Sequence, residues 1–183
     1  DKRRDATFME YYDDKGVVKG TVVKKFIGSI NATGSRVYDS NEPIYRYADV
    51  LLMLAEVENM KGGNPAQYIN QIRQRAYGAN YVAATDAYVN ADFKTNEYTI
   101  LREKDKEFVY EGKRWYDVIR MKDGVNGLPL AFDAASAYTT TPVLLSTEKY
   151  KLLWPVDKAT LSADPNLKQT PGYSVAGQEE EKW

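Results

Sequence analysis

The chain of 183 residues contains no cysteine and no histidine. Those two absences remove thiolate nucleophiles, disulfides, Ser-His and Cys-His pairs and the usual zinc ligand sets, so catalysis would have to run on carboxylates, tyrosine, lysine or arginine. No metal or cofactor is expected. The lack of cysteine is compatible with any redox compartment. Charge of one sign is missing too. Lys plus Arg number 25 against 26 Asp plus Glu, and a net charge of -1 offers no basic excess for nucleic acid or an anionic membrane surface. Apolar runs near the roughly 20 residues that cross a bilayer are absent, and the opening DKRRDATFMEYY lacks the apolar stretch of a signal peptide. Taken alone, the chain reads as soluble.

What is present in excess is tyrosine, with 15 Tyr beside 3 Trp and 5 Phe. A ring that can both stack and hydrogen-bond suits carbohydrate or interface surfaces, although tyrosine is equally at home in half-buried packing. A chain of this length buries about 70% of its unfolded surface, enough for a core without staples.

Residues 7 to 26, TFMEYYDDKGVVKGTVVKKF, carry β-branched and aromatic clusters on either side of DDKG and predict a β-hairpin. Residues 28 to 42 are rich in Gly, Ser, Asn and Asp and predict a loop. Pro43 then opens PIYRYADVLLMLAEVENMKGGN. Ile44, Tyr47, Ala48, Leu51, Leu54 and Ala55 fall on one helical face there, widened by Val50, Leu52, Met53 and Val57, so the helix is expected to be buried on more than one side. After the Gly62-Gly63 stop, PAQYINQIRQRAYG puts Ala66, Ile69, Ile72 and Ala76 on an inner face. Two helices joined so closely form an αα-hairpin over residues 43–78, the unit of tetratricopeptide-like arrays, and one unit cannot cover its own apolar faces. Residues 79 to 97 read as a long connection with Tyr81, Tyr88 and Phe93 as its aromatics. A helical pair follows over residues 97–122, and residues 123–183 read as loops with an extended, buried LLWPV and a charged, mobile tail GQEEEKW. The fold class is mainly α, with helical hairpins, a small β-hairpin and long loops.

The stretch LREKDKEFVYEGKRWYDVIR, residues 101 to 120, sets Glu103, Glu107 and Glu111 at spacings of four among Arg102, Lys104, Lys106, Lys113 and Arg114. A glycosidase needs two facing carboxylates, one held protonated by an apolar pocket. Acids surrounded by cations have the opposite environment, which holds them ionised. Arg102, Glu103, Glu107, Glu111 and Arg114 are therefore read as a structural charge network, and no catalytic residue is assigned.

PIYRYADVLLMLAEVENMKGG (43 to 63), INQIRQRAYG (69 to 78), ILREKDKEFVYEGKRWYDVIRM (100 to 121), LLWPVDKATLSADPNLKQTPGY (152 to 173) and the D-x-R opening at Asp1 to Arg3 closely resemble the C-terminal part of the SusD/RagB family of outer-membrane nutrient-binding lipoproteins. The resemblance implies a largely helical, tetratricopeptide-like fold and a non-enzymatic role. Such proteins bind glycans or other nutrients at the surface of Gram-negative cells and deliver them to a SusC-like TonB-dependent transporter. It also implies that all 183 residues form one region, the C-terminal portion of a longer chain whose N-terminal lipidation cysteine lies upstream. In the family the charged stretch is scaffold, and sugar-contacting aromatics come from variable loops. No motif transfers a ligand residue, so Tyr81, Tyr88 and Tyr138 stand as loop candidates on composition alone. An interaction scaffold without its own ligand, and less favourably a carboxylate-dependent glycoside hydrolase, are the alternatives.

Overall fold

The computed structural model describes residues 1–173. The chain divides into two compact units, Asp1–Gly127 and Leu128–Trp183. The GQEEEKW tail lies outside the described residues.

The first unit is built on three long helices. Helix α2, Tyr47–Met60, and helix α3, Ala66–Tyr77, form the αα-hairpin, and α5, Phe93–Glu107, packs across both. Pro43 does not open α2. The first turn is fixed instead at Arg46, whose backbone N–H donates to Asp49 Oδ2 at 2.8 Å, so the carboxylate meets one of the amides that a helix start leaves unpaired. The connection reverses at Gly62, which holds φ 72°, a left-handed value that costs glycine little. On α3 the buried positions are Ala66, Ile69, Ile72 and Ala76, the three-to-four spacing of the sequence. On α2 they are Ala48, Leu51, Leu52 and Ala55 with Asp49, Glu56 and Asn59, while Tyr47, Val50, Met53, Leu54 and Val57 are exposed, as is Ile44 ahead of the helix. Burial of α2 on more than one side is therefore not what the first unit alone provides. Its buried arc is turned toward Leu52 and away from Tyr47, because α3 and α5 approach from that side.

Helix α5 starts four residues before the expected Glu97. Asp92 caps it by accepting from Thr95 N–H at 3.0 Å, which turns Phe93 from a loop aromatic into a half-buried first-turn residue. Beyond Glu107 the chain reverses through Tyr110 (φ 62°) and Gly112 (φ 71°) and enters α6, Arg114–Arg120, with Val118 buried. A four-residue helix α4, Ala83–Asp86, interrupts the long connection.

Before the hairpin, a short helix α1, Arg3–Thr7, leads into β1, Phe8–Tyr12, which pairs antiparallel with β2, Val18–Val23. Asp13 Oδ1 closes the turn by accepting from Lys15 N–H at 3.0 Å and Val17 N–H at 2.9 Å. The Gly/Ser/Asn-rich stretch expected as a loop contains a second ribbon, β3 Ser29–Ile30 with β4 Arg36–Val37. Gly28 beside it is required by space as well as by φ: a Cβ there would lie 1.8 Å from Val37 O.

In the second unit Leu130, Ala131 and Leu144 are buried, and Leu144 N–H bonds Ala131 O at 2.8 Å. LLWPV is neither one extended segment nor buried: Leu152 ends a 3-10 turn, Leu153 is extended, and Leu153 and Trp154 are exposed. Directly after it, within residues read as loop, Asp157 caps a helix, α7 Lys158–Ala163, by accepting from Thr160 N–H at 3.1 Å.

Candidate functional site

Three carboxylates organise the first unit. Glu107 Oε2 accepts from Arg3 at 3.4 Å and from Arg75, while its Oε1 accepts from Arg46. Glu103 is held by Arg3 at 3.1 Å and Arg73 at 2.9 Å, and Glu111 by Lys25 at 2.8 Å and Arg46 at 2.9 and 3.1 Å. These partners come from α1, from the stretch after β2, from the residue before α2 and from α3, so four segments converge on one end of α5. Arg46 also lies 4.7 Å from the centre of the Phe108 ring.

Two expected members behave differently. Arg102 is exposed and takes no ion pair among the described residues, because one step round α5 from Glu103 already points it at solvent. Arg114 pairs with Asp105 at 2.6 Å and not with Glu111, since the reversal at Gly112 redirects α6.

Burial alone would raise the carboxyls of Glu107 and Glu111, but hydrogen bonds from Arg46 and Arg75 to the first, and from Arg46 and Lys25 to the second, outweigh it and hold both below the ordinary range. A general acid must be protonated near neutral pH. These groups are anions, and their chemistry is that of a clamp.

A second set runs between α2 and α6. Lys104 Nζ bonds Asp117 Oδ1 at 2.6 Å and pairs with Glu56, which also accepts from Arg120, and Lys113 pairs with Asp49. These charges form the floor of a groove of about 1040 Å³, with Ile44, Tyr45, Met53 and Tyr116 on its walls. Glu56 is held low in the same manner: burial pushes it up, and Arg120 and Lys104 more than compensate. Sequence reasoning missed this set. Its signal is Asp49 and Glu56, two turns apart and flanked on both sides by apolar residues.

The loop tyrosines separate. Tyr81 is half-buried and meets Tyr77 edge to face at 6.4 Å. Tyr88 is tied down: its O–H donates to Asn96 Oδ1 at 2.5 Å, its N–H donates to Asn70 Oδ1 at 2.6 Å, and Arg73 lies 5.6 Å from its ring centre. Burial raises the Tyr88 phenol, against which Thr99 and Arg73 act only partly. Asn96 in turn donates to Asn59, Asn90 and Ala91 O at 3.0 to 3.1 Å, an amide cluster that also escaped the sequence reading. This geometry suits pinning a loop to α3 and α5 better than presenting a ring to a sugar. Tyr138, in the second unit, is 68% exposed with φ 55°. Within the first unit Tyr81 and Tyr88 are held by different partners, and Tyr138 belongs to the other unit.

A helical hairpin braced by a buried ion network defines a module of tetratricopeptide-like architecture. The family follows from direct comparison. The SusD family model matches residues 1–173, and the chain belongs to that family. It is 30% identical over 139 residues to SusD-like protein P38 of Formosa agariphila, covering 74% of this chain and 25% of that one. A crystal structure of a SusD superfamily protein from Bacteroides fragilis superposes with a TM-score of 0.87 at 47% identity, over 95% of this chain and 38% of the other. Surface glycan-binding protein A from Bacteroides uniformis superposes with a TM-score of 0.60 at 25% identity, over 93% of this chain and 37% of that one. The chain thus spans about a quarter of the length of the curated relatives it matches.

Proposed function

We propose that these residues are the scaffold portion of a non-catalytic, cell-surface glycan- or nutrient-binding lipoprotein that passes its ligand to a SusC-like TonB-dependent transporter of the outer membrane. The observation that carries the reading is the family match over residues 1–173. A similar fold in a surface glycan-binding protein of Bacteroides uniformis supports it. The buried acids support the non-catalytic part, since cations hold Glu56, Glu107 and Glu111 ionised where a glycosidase needs one neutral partner. Membrane attachment in this reading comes from a lipidated cysteine upstream of these residues. Of the loop tyrosines, Tyr138 is the one whose exposure suits stacking on a sugar ring. The test is calorimetric titration of the longer, natural polypeptide with an oligosaccharide panel, followed by product analysis. Binding without hydrolysis is the expected result, and turnover or the absence of any binding overturns the proposal.

A further inference from the structure

Asn126-Gly127 is the one Asn-Gly pair in the sequence, and it closes the first unit. Gly127 N–H donates to Gly124 O at 2.9 Å, so Val125 and Asn126 are the two central residues of a turn, and both are exposed. Space dictates the glycine: a Cβ on Gly127 would lie 1.9 Å from Asp123 Oδ1 and 2.7 Å from Gly124 N. The fold therefore requires a glycine directly after an exposed asparagine, and that pairing is chemically labile. An asparagine Cγ and the next backbone nitrogen can close a five-membered ring. A side chain on the following residue crowds this approach, and glycine, which has no Cβ, leaves it open.

We propose that Asn126 is a self-modification site, which this turn converts to aspartate and isoaspartate with water as the co-reactant. The Gly127 nitrogen, its proton released to solvent, forms a bond to Asn126 Cγ. The bond from Cγ to the side-chain nitrogen breaks, and that nitrogen takes a proton from solvent and leaves as ammonia. Water then opens the cyclic imide. Opening at the side-chain carbonyl gives aspartate, and opening at the backbone carbonyl leaves the main chain running through Cγ as isoaspartate. The bond to Gly124 O must open first, and a hydrogen bond in an exposed turn belongs to the least protected part of a fold. Other asparagines lack one condition or the other. Asn59 and Asn96 are 2% exposed and bonded to each other, and Asn41, Asn80 and Asn166 are exposed but precede Glu42, Tyr81 and Leu167. Conversion adds a negative charge, three residues from Asp123, to a chain whose net charge is -1. The isoaspartate product also lengthens the main chain by one carbon, which shifts Gly127 from its place against Gly124 O. This chemistry is independent of the glycan reading.

The test follows the longer, natural polypeptide during incubation at neutral and mildly alkaline pH, natively and in denaturant, by peptide mass spectrometry. Amide-to-acid conversion is read at each asparagine from its mass gain, which isomerisation at Asp123 does not produce, and fragmentation distinguishes isoaspartate from aspartate. Asn126 in the native protein is expected to convert at least about tenfold faster than Asn41, Asn80 and Asn166, which keep a Cβ on the next residue. Its native rate is expected to lie within about tenfold of the rate in denaturant, because only a local turn has to open. The rate should rise with pH, since the attacking nitrogen must lose its proton, and isoaspartate should accompany aspartate. A smaller lead over the three exposed controls, or a native rate slower than that bound, overturns the proposal. So does a product that is aspartate alone, which marks direct hydrolysis without ring closure.

Discussion

Arg46 and Glu107 join the residue before α2 to the end of α5 by two bonds at once: the guanidinium donates through Nη1 to the Glu107 carboxylate and through Nη2 to the Glu107 carbonyl at 2.7 Å. The side chain of Glu107 is 3% exposed, so the pair works where water cannot take over for a lost partner.

Glu107→Gln should therefore act on stability. Removing the charge takes the carboxylate from Arg75 and leaves Arg46 with Glu111 and Arg3 with Asp1 and Glu103, and breaking a buried pair on one side costs about 3 to 5 kcal/mol. Urea unfolding monitored by circular dichroism should show a lower midpoint at an unchanged slope, and oligosaccharide affinity measured well below the transition should match the parent protein.

Acid should unfold the first unit. Glu56, Glu107 and Glu111 all lie below the usual glutamate value of 4.5 in the folded state, so their stabilisation is complete above that value and is lost as pH falls through the lower folded values. Glu97 has the opposite sign. Burial raises it, with repulsion from Glu56 adding and the Asn59 hydrogen bond opposing, so its contribution is greatest below 4.5 and declines as pH rises through its folded value. Three groups against one makes the net effect destabilising in acid. Melting temperature measured from pH 7 down to 3 should fall below about pH 4.5, more gently in a Glu107→Gln variant.

Tyr88→Phe removes the hydroxyl that reaches Asn96 but keeps the ring under Arg73. The global cost should be small, about 1 kcal/mol, because one neutral hydrogen bond is lost. The local effect should be larger: limited proteolysis of residues 79–92 should accelerate in the variant while cleavage within α2 does not.

Lys104→Met tests the second charge set. Lys104 is 5% exposed between Glu56 and Asp117, and methionine leaves Asp117 dependent on Arg120 alone, at 3.1 Å. The expected loss is about 3 to 5 kcal/mol by urea unfolding. Adding Asp117→Asn to it should restore part of that loss, as a double-mutant cycle would reveal.

Much of the first unit was legible along the chain. Ala66, Ile69, Ile72 and Ala76 spell the buried face of α3 because a helix returns every 3.6 residues, and DDKG and the Gly62 stop mark reversals that few residues other than glycine, asparagine and aspartate make cheaply. The start of α5 was not legible, since the cap at Asp92 sits in a run of Asn, Asp and Ala that reads equally well as loop. Nor was the fate of Tyr88. Its partners Asn70, Arg73 and Asn96 lie 18, 15 and 8 residues away along the chain, and no local pattern announces them.

Composition and spacing by themselves determined the helical class and the hairpin, because those follow from which side chains exist and how often they recur. Glu103, Glu107 and Glu111 could also be seen as charges in need of cations. Which cations answer, and that Arg102 is not among them, was decided only when α1, α3 and the turn before α2 were brought to the end of α5. Ion pairing inside a protein depends on distance and on the exclusion of water, and neither quantity is written in the order of the residues.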